Sequence, residues 1–287
     1  GNADIGTVTG NIIGSNTGAS SVYVAYASGG SAWGINCASS NTVNIQNNII
    51  GGIDVTGTTS STASGFIGID ASGTGLFSIN NNSVGNDLPD NIRTGYLLTG
   101  ANLSNTAVTP TAASGSSAVH GIRSSAVAAA LTITNNLVHG IQVSGTATAY
   151  NGITNSGAVT GTINLNNNQL GNIDAGAVRF MFNNTGVVTG ISNTGATATT
   201  TVNLNNNSIE GISAVSLTSN LTGILSSANA GVAININNNN LGSASADFNT
   251  YSAATSNTIF GFFNSGGVAA STVISISNNN IRGILHS

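Results

Sequence analysis

Charged residues are almost absent from this chain of 287 residues. Only 4% of it is charged, with four arginines, seven aspartates, one glutamate and no lysine, for a formal net charge of −4; a typical soluble domain has about 25%. Binding to nucleic acid and attachment to anionic membranes both depend on clustered lysine and arginine. The composition therefore excludes both partners, and solubility must come from asparagine, serine, threonine and glycine.

Cysteine, proline and long apolar runs are scarce as well. Cys37 is the single cysteine, so no internal disulfide can form, and we interpret it as a small buried residue. No stretch of about 18 apolar residues occurs, so no membrane span is predicted. The chain has 38 glycines and two prolines, but 40% of it is apolar, which argues against disorder.

What the chain has instead is a repeat built around asparagine, as in TVNLNNNSIEGIS from Thr201. Each of seven copies alternates apolar and polar residues, which predicts a strand with one buried face. Two asparagines follow, and asparagine suits a sharp bend because it tolerates the left-handed backbone. Their recurrence predicts a ladder in which each amide bonds the amides above and below it. The predicted members are Asn48, Asn82, Asn136, Asn168, Asn207, Asn239 and Asn279.

A second pattern, apolar–x–Gly–apolar, falls about midway between the asparagine runs. Glycine in a strand predicts a bend or a close approach of two backbones. Both patterns keep a period of about 32–40 residues apart from one longer interval, so we predict units of two coils each and about 15 coils in all. The predicted glycine ladder comprises Gly34, Gly68, Gly121, Gly152, Gly190, Gly223 and Gly261.

These patterns predict an all-β parallel β-solenoid, in which each coil pairs with the next around an apolar column. Strict alternation and the wealth of glycine, asparagine and threonine exclude a helical repeat. We expect residues 1–287 to form a single solenoid that is a segment of a longer chain, because neither end shows a polar cap. Bare terminal coils expose strand edges, so we expect the solenoid to continue at both ends or to self-associate.

The copies INLNNNQLGNI and VNLNNNSIEGI resemble the repeat of right-handed parallel β-helix proteins, the pectin-lyase-like superfamily. Units such as SNTGATATTTVNLNNNSIEGIS are similar to long Asn/Gly/Thr-rich repetitive surface proteins of Bacteroidota. Those proteins are exported by the type IX system and are attached to the cell surface or released. The resemblance implies a right-handed solenoid and an extracellular or cell-surface location. It implies no particular activity, because the superfamily includes lyases, hydrolases, tailspikes and inert stalks.

The one irregular interval separates Val84 from Val138 and carries both prolines. We predict an inserted loop or an extra coil at residues 87–118. Loops on rigid scaffolds often carry function, so one hypothesis is a loop that contacts a glycan or a protein partner, with a tyrosine stacked on sugar. The alternative is a surface loop without function. The candidate contact residues are Asp87, Asp90, Arg93 and Tyr96.

Candidate catalytic and metal-binding residues are few. Asp54 and Asp174 occupy equivalent positions several coils apart, and we interpret them as solvated turn residues rather than a carboxylate pair. Asp70 and Arg123 share a position in successive glycine-type copies, which would allow a surface ion pair. The histidines occupy unrelated positions, so neither a metal site nor a cofactor is predicted. The histidines are His120, His139 and His286.

The uniform repeat favours a structural, non-enzymatic stalk or filament segment of a large cell-surface or secreted protein. One alternative is a β-helix polysaccharide lyase or hydrolase, which would need residues such as Arg93 to face Asp54 or Asp70 across a groove. Another is an adhesin that binds glycans along a polar face of the solenoid. Self-association or glycan contact are thus the expected interactions.

Overall fold

The computed structural model describes residues 1–27, 29–98, 109–267 and 270–286. Within these ranges the regular structure consists of 32 β-strands in four sheets, without a helix. The strands within each sheet run parallel, apart from one antiparallel pair that lies off the main strand order. The prediction of an all-β chain with parallel sheets is confirmed, and the arrangement is that of a β-solenoid.

The first and second sheets are formed by the asparagine-run segments. The alternating residues before each run form a first-sheet strand, and the apolar residue after it lies in a second-sheet strand. The first sheet contains β1 (Ala3–Ile5), β5 (Val43–Gln46), β9 (Phe77–Asn80), β14 (Ala130–Thr134), β18 (Thr162–Asn166), β22 (Thr201–Asn203), β26 (Ala233–Asn237) and β30 (Val273–Ser277). The second contains β2 (Ile12–Gly14), β6 (Ile49–Gly51), β10 (Ser83–Val84), β15 (Leu137–Val138), β19 (Gln169–Leu170), β23 (Ser208–Ile209), β27 (Asn240–Leu241) and β31 (Asn280–Ile281).

The third and fourth sheets follow in each turn, and the glycine pattern lies in the fourth. The third sheet contains β3 (Val22–Tyr26), β7 (Ile53–Gly57), β11 (Ile92–Leu98), β16 (Ile141–Val143), β20 (Val178–Phe180), β24 (Ile212–Ala214), β28 (Asn249–Tyr251), β32 (Ile284–His286) and β12 (Thr109–Thr111), which pairs antiparallel with the end of β11. The fourth contains β4 (Ser31–Ser39), β8 (Gly65–Gly73), β13 (Ala113–Ser124), β17 (Gly145–Asn155), β21 (Val188–Asn193), β25 (Leu221–Ser226) and β29 (Ile259–Asn264).

Every strand on these sheet paths pairs with the equivalent strand one whole unit further along the chain. Val43 of β5 faces Phe77 of β9, which faces Leu131 of β14. Strands with the asparagine pattern therefore never pair with strands of the glycine pattern. The prediction of two coils per unit and about 15 coils is wrong, because the two patterns are different sides of one turn. The described residues form seven complete turns and three strands of an eighth, which stack over roughly 35–40 Å at about 4.8 Å per turn.

The interior of the stack is an apolar column made mainly of aliphatic side chains. In β14, Leu131 and Ile133 are fully buried, whereas the threonines beside them are half-buried. Fully burying one such side chain contributes about 1.5–3 kcal/mol before conformational entropy is counted. Cys37 belongs to the same core, as expected for a small buried residue.

The corner between the second and third sheets alternates in length along the stack. Seven residues separate the two strands in turns 1, 3, 5 and 7, whereas one or two residues separate them in turns 2, 4, 6 and 8. We call the first kind long corners and the second kind short corners. The long corners are 15–21, 85–91, 171–177 and 242–248, and the short corners are 52, 139–140, 210–211 and 282–283.

The two kinds of corner fit together. In each long corner a serine or asparagine side chain that follows a glycine accepts backbone N–H groups two or three residues on. These residues are Ser15, Asn86, Asn172 and Ser243. The left-handed glycine of a short corner then donates its N–H to the next long corner, as Gly52 does to Asn91 Oδ1 (2.8 Å) and Gly211 to the Asp247 carbonyl (2.8 Å). Each long corner after the first thus covers the short corner of the turn before it.

Candidate functional site

The amides after the first sheet form a continuous hydrogen-bonded column. The Oδ1 atom of Asn168 accepts bonds from the backbone N–H and the Nδ2 of Asn136, at 3.0 and 3.1 Å. Asn136 Nδ2 also donates to the carbonyl of Ile79, in the preceding turn, at 3.0 Å. The same pattern joins Asn48, Asn82, Asn136, Asn168, Asn207, Asn239 and Asn279, and Asn11 adds a member before them.

The residue before each ladder asparagine makes the bend itself. All seven of these residues are asparagines with φ between 54° and 59°, in the left-handed region that asparagine tolerates. They are Asn47, Asn81, Asn135, Asn167, Asn206, Asn238 and Asn278. The first asparagine of each pair thus forms the bend. The second hydrogen-bonds to the backbone N–H and C=O groups that the bend buries.

The glycines of the fourth sheet pack against the second sheet across the core. A Cβ atom on Gly121 would lie 2.5 Å from the carbonyl oxygen of Gly152 and 2.5 Å from Cγ1 of Val138. Gly68 is similarly close to Gly121 and Val84. The same contact with the following turn recurs at Gly34, Gly152, Gly190 and Gly223, while Gly261 meets Ile281. The absence of a side chain is what lets the two sheets approach.

Charged groups concentrate along the corner between the second and third sheets, in turns 2 to 5. Asp54, Arg93, Gln142 and Arg179 occupy the same strand position in four successive turns. Side chains from the long corners of neighbouring turns hydrogen-bond to residues of this column. We call this group the corner cluster; it comprises Ser20, Asp54, Asp87, Asp90, Arg93, His139, Asn172 and Arg179.

The centre of the corner cluster is a buried ion pair. Arg93 donates from Nε to Asp54 Oδ1 at 2.7 Å and from its guanidinium to Oδ2 at 2.9 Å. Ser20, in the first long corner, donates to Asp54 Oδ2 at 2.7 Å and also contacts Arg93. Asp54 is 0% exposed and Arg93 5%. The interpretation of Asp54 as a solvated turn residue is wrong, because it lies within β7 beneath that corner; Asp174 is exposed.

This pairing matches one that the enzymatic alternative requires, but its setting differs. The two charges do not face each other across a groove, since both are enclosed by strands and by the corner above them. A buried pair that satisfies both partners contributes little net stability, whereas loss of one partner leaves a costly charge. Ser20, Asp54 and Arg93 thus link turns 1, 2 and 3 through hydrogen bonds.

Two further contacts tie the third turn to the fifth. Arg179 binds the carboxylate of Asp90, and Asn172 donates to Asp87 Oδ1 at 2.8 Å. The Asp90–Arg179 pair is partly exposed, so it contributes at most about 1 kcal/mol. These contacts span the short corner of turn 4, where His139 is buried.

His139 is the titratable group that the corner cluster encloses. Burial lowers the pKa of His139 below its ordinary 6.5, while Asp87 and a backbone bond to Gly85 oppose that change. Its Nδ1 lies 3.7 Å from Asp87 Oδ1 and its Nε2 lies 3.2 Å from Ser83 Oγ. The neutral imidazole is therefore favoured in the folded chain.

The candidate contact residues do not belong to a single loop. Asp87 and Asp90 lie in a long corner, whereas Arg93 and Tyr96 lie in β11. Tyr96 is half-buried, and its backbone N–H donates to Ser144 Oγ at 2.8 Å. Within 87–118 the structure places β11, β12 and the start of β13; residues 99–108 lie outside the described ranges.

A second ion pair lies in the fourth sheet. Arg123 donates to both carboxylate oxygens of Asp70, at 2.9 and 2.6 Å, and the indole of Trp33 donates to the same group at 3.2 Å. The predicted Asp70–Arg123 pair is confirmed, although Asp70 itself is only 6% exposed. Burial lowers the pKa of the neighbouring His120 to about 4, Arg123 acts in the same direction, and Asp70 opposes both.

An open groove of about 650 Å³ lies beside the third sheet, where the chain passes on to the fourth. Its walls include Met181, Phe182 and Asn183, and its other side includes Thr146 and Ser114. It thus offers one aromatic face beside hydroxyl and amide groups. The sequence patterns contain no signal for it, because its walls come from strands and connections of four successive turns.

The described ranges contain no group of three or more His, Cys, Asp or Glu side chains arranged to hold a metal ion. The same ranges include no helix with the length and apolar character needed to cross a membrane. Comparison of the chain with protein-family models, curated proteins and solved structures gave no match.

Proposed function

We propose that this chain is a structural, non-enzymatic segment of an extracellular β-solenoid, serving as a stalk or filament segment of a large cell-surface or secreted protein. The observation that carries the proposal is the amide column, which runs from Asn11 to Asn279 with the same hydrogen bonds in every turn. A chain that repeats one bonded unit without interruption is suited to spanning distance.

The face of the last turn supports this role. Ile274, Ile276 and Ile281 are 44–49% exposed, whereas the equivalent residues of the preceding turn, such as Ile234 and Leu241, are fully buried. Apolar side chains on a solenoid end need a cap or another turn to remain soluble. We propose that a further turn covers this face, either by continuation of the solenoid or by self-association.

The likeness of the repeat to pectin-lyase-like β-helices and to the repetitive surface proteins of Bacteroidota extends the proposal to location. Under this proposal the solenoid is right-handed. The chain is exported by the type IX system and is then attached to the cell surface or released. The lack of lysine and the rarity of free charge fit a protein exposed to proteases outside the cell.

The test is the mass and shape of the native material, recovered separately from the cell surface and the medium of its source. We expect an intact chain far heavier than 28.2 kDa that electron microscopy shows as a long thin fibre. A compact 28 kDa particle whose end face is covered by its own structure would overturn the proposal.

A second candidate is a glycan-binding adhesin, which the groove beside Phe182 favours. Sugar rings stack on aromatic faces while their hydroxyls bond to amide and hydroxyl side chains, and the groove offers both. A glycan-array screen with the wild-type chain and F182A tests it. Binding that F182A abolishes supports the adhesin, whereas equal signals from both proteins exclude this groove.

A further inference from the structure

A second column of polar side chains runs along the end of the fourth sheet. Asn155, Asn193, Ser226 and Asn264 occupy the same strand position in four successive turns. The first three are 0% exposed. This column lies at the corner that leads into the next turn, apart from the asparagine ladder described above.

The column begins as a ladder and is then interrupted. Asn155 Nδ2 donates to Asn193 Oδ1 at 2.8 Å, so the amide nitrogen of one turn meets the amide oxygen of the next. Ser226 follows, and its hydroxymethyl group is too short to continue that link. Three buried atoms at this point have no hydrogen-bond partner: Asn193 Nδ2, Ser226 Oγ and Asn264 Oδ1.

The orientation of each amide is fixed by another bond. Asn193 presents Oδ1 to Asn155, which leaves its Nδ2 without a partner, and Ser226 is the next residue of the column. Asn264 follows Ser226 and donates from Nδ2 to the carbonyl of Gly266, at 3.4 Å, which leaves its Oδ1 without a partner. The unpartnered groups of these three residues are thus a donor, an acceptor and a hydroxyl that can serve as either.

We propose that an ordered water molecule is bound beside Ser226 and completes this column. The water accepts an N–H from Asn193, donates to Asn264 Oδ1 and shares a hydrogen bond with Ser226 Oγ. Buried waters typically make about three such bonds to otherwise unsatisfied groups. An asparagine side chain is larger than a serine side chain by a volume similar to the roughly 30 Å³ that one water molecule occupies. This inference is independent of the proposed function.

The deciding measurement is a high-resolution crystal structure of the 287-residue chain. We expect solvent density within hydrogen-bonding distance of Asn193 Nδ2, Ser226 Oγ and Asn264 Oδ1. If the density is absent, or if the two amides turn to other partners, the proposal is overturned. Because the wild-type chain is used, this result does not depend on how a variant folds.

The variant S226N tests the same site by displacement. Its new Oδ1 would accept from Asn193 and its Nδ2 would donate to Asn264, so we expect the water to be replaced. We expect Tm to rise by about 2–4 °C, while the matched variant S252N, at an exposed serine, leaves Tm unchanged. A S226N structure with the added amide in place of the water supports the proposal; one in which Asn193 and Asn264 contact neither water nor the new amide contradicts it.

Discussion

Single asparagine side chains bond successive turns to one another. Asn168 accepts two bonds from Asn136 and donates to the carbonyl of Ile133 at 2.9 Å. A sharp corner removes these groups from the sheet ladders, and buried backbone groups left unpaired are costly. The stability of the corner therefore depends on one amide per turn.

Removal of that amide should be costly in the middle of the stack. For Asn168→Ala we expect the free energy of unfolding to fall by about 2–4 kcal/mol, because Asn136 and the Ile133 carbonyl lose buried partners. Urea denaturation measures the change. Asn183→Ala, at an exposed asparagine, is the control and should stay within about 0.5 kcal/mol. Equal losses in both variants would contradict the role assigned to the ladder.

The buried Asp54–Arg93 pair predicts strong coupling between its two partners. Arg93→Met leaves the Asp54 carboxylate buried without its cation, so we expect a loss of about 3–5 kcal/mol. The double variant D54L/R93M removes both charges and should recover most of that loss. Unfolding of the two single variants and the double variant gives the coupling directly. A double variant no better than the sum of the singles would show that the residues act independently.

His120 predicts a dependence of stability on pH. Its pKa is about 4 in the folded chain against an ordinary 6.5, so the unfolded chain takes up the proton first as pH falls. Stability is therefore present above pH 6.5 and is lost toward pH 4, by on the order of 1–2 kcal/mol after solvent screening of this half-buried ring.

The measurement is Tm between pH 7 and pH 4 for the wild-type chain and His120→Asn. Asparagine already occupies the facing position at Asn151, so the variant should fold. We expect the Tm of the wild-type chain minus the Tm of the variant to fall steadily as the pH drops below 6.5. Because both proteins retain His139, its own contribution cancels. Parallel curves across the range would exclude His120 as the source.

The sequence predicts the positions of single ladder residues well and the environment of charged ones poorly. Asn136 and Asn168 stand out because each corner repeats the same local requirement once per period. The burial of Asp54 has no local signal, since the side chain that covers it, Ser20, belongs to the preceding turn, and its cation, Arg93, to the next. Such contacts follow from stacking and not from spacing within one unit.

At the scale of elements, the glycine strands set how closely the fourth sheet approaches the second. Gly121 is enclosed by the carbonyl of Gly152 and the side chain of Val138. The same relation explains why the prediction of two coils per unit failed. Two strand patterns half a period apart predict two coils, whereas in the structure they lie on different sides of a single turn and meet through this contact.

Gly121→Ala tests the contact between these sheets. Its Cβ would lie 2.5 Å from a backbone oxygen that cannot move without disturbing β17, so we expect a loss of about 2–3 kcal/mol. Gly1→Ala is the control, because no heavy atom lies within 4 Å of the position that its Cβ would take. Thermal unfolding compares the two. A stable Gly121→Ala protein would mean that the sheets can separate freely.

At the scale of the molecule, the true repeat is a pair of turns. Equivalent first-sheet residues two turns apart are separated by 71 residues from Ile163 to Ile234 and by 72 from Val202 to Ile274. Within each pair one corner is long and one is short, and the long corner occupies the space that the short one leaves. This alternation could have been found in the sequence from the spacing between each anchor and the next apolar strand.

Deletion of turns tests this pairing. Deleting residues 202–273 removes turns 6 and 7 and joins a long-corner turn to a short-corner turn, so we expect a folded protein with a cooperative transition. Deleting only residues 202–233 places two long corners on adjacent turns, and we expect a much larger fall in Tm although fewer residues are lost. Circular dichroism with thermal unfolding compares the two. Equal Tm values would show that the corners do not depend on each other.

The alternation of corners also constrains how such a gene can change its length. Recombination between similar repeats adds or removes coding sequence in whole units, and the product survives only if its corners remain in phase. A gain or loss of one turn reverses that phase for every turn beyond the junction, whereas a gain or loss of two restores it. Natural length variants of this chain should therefore differ by even numbers of turns.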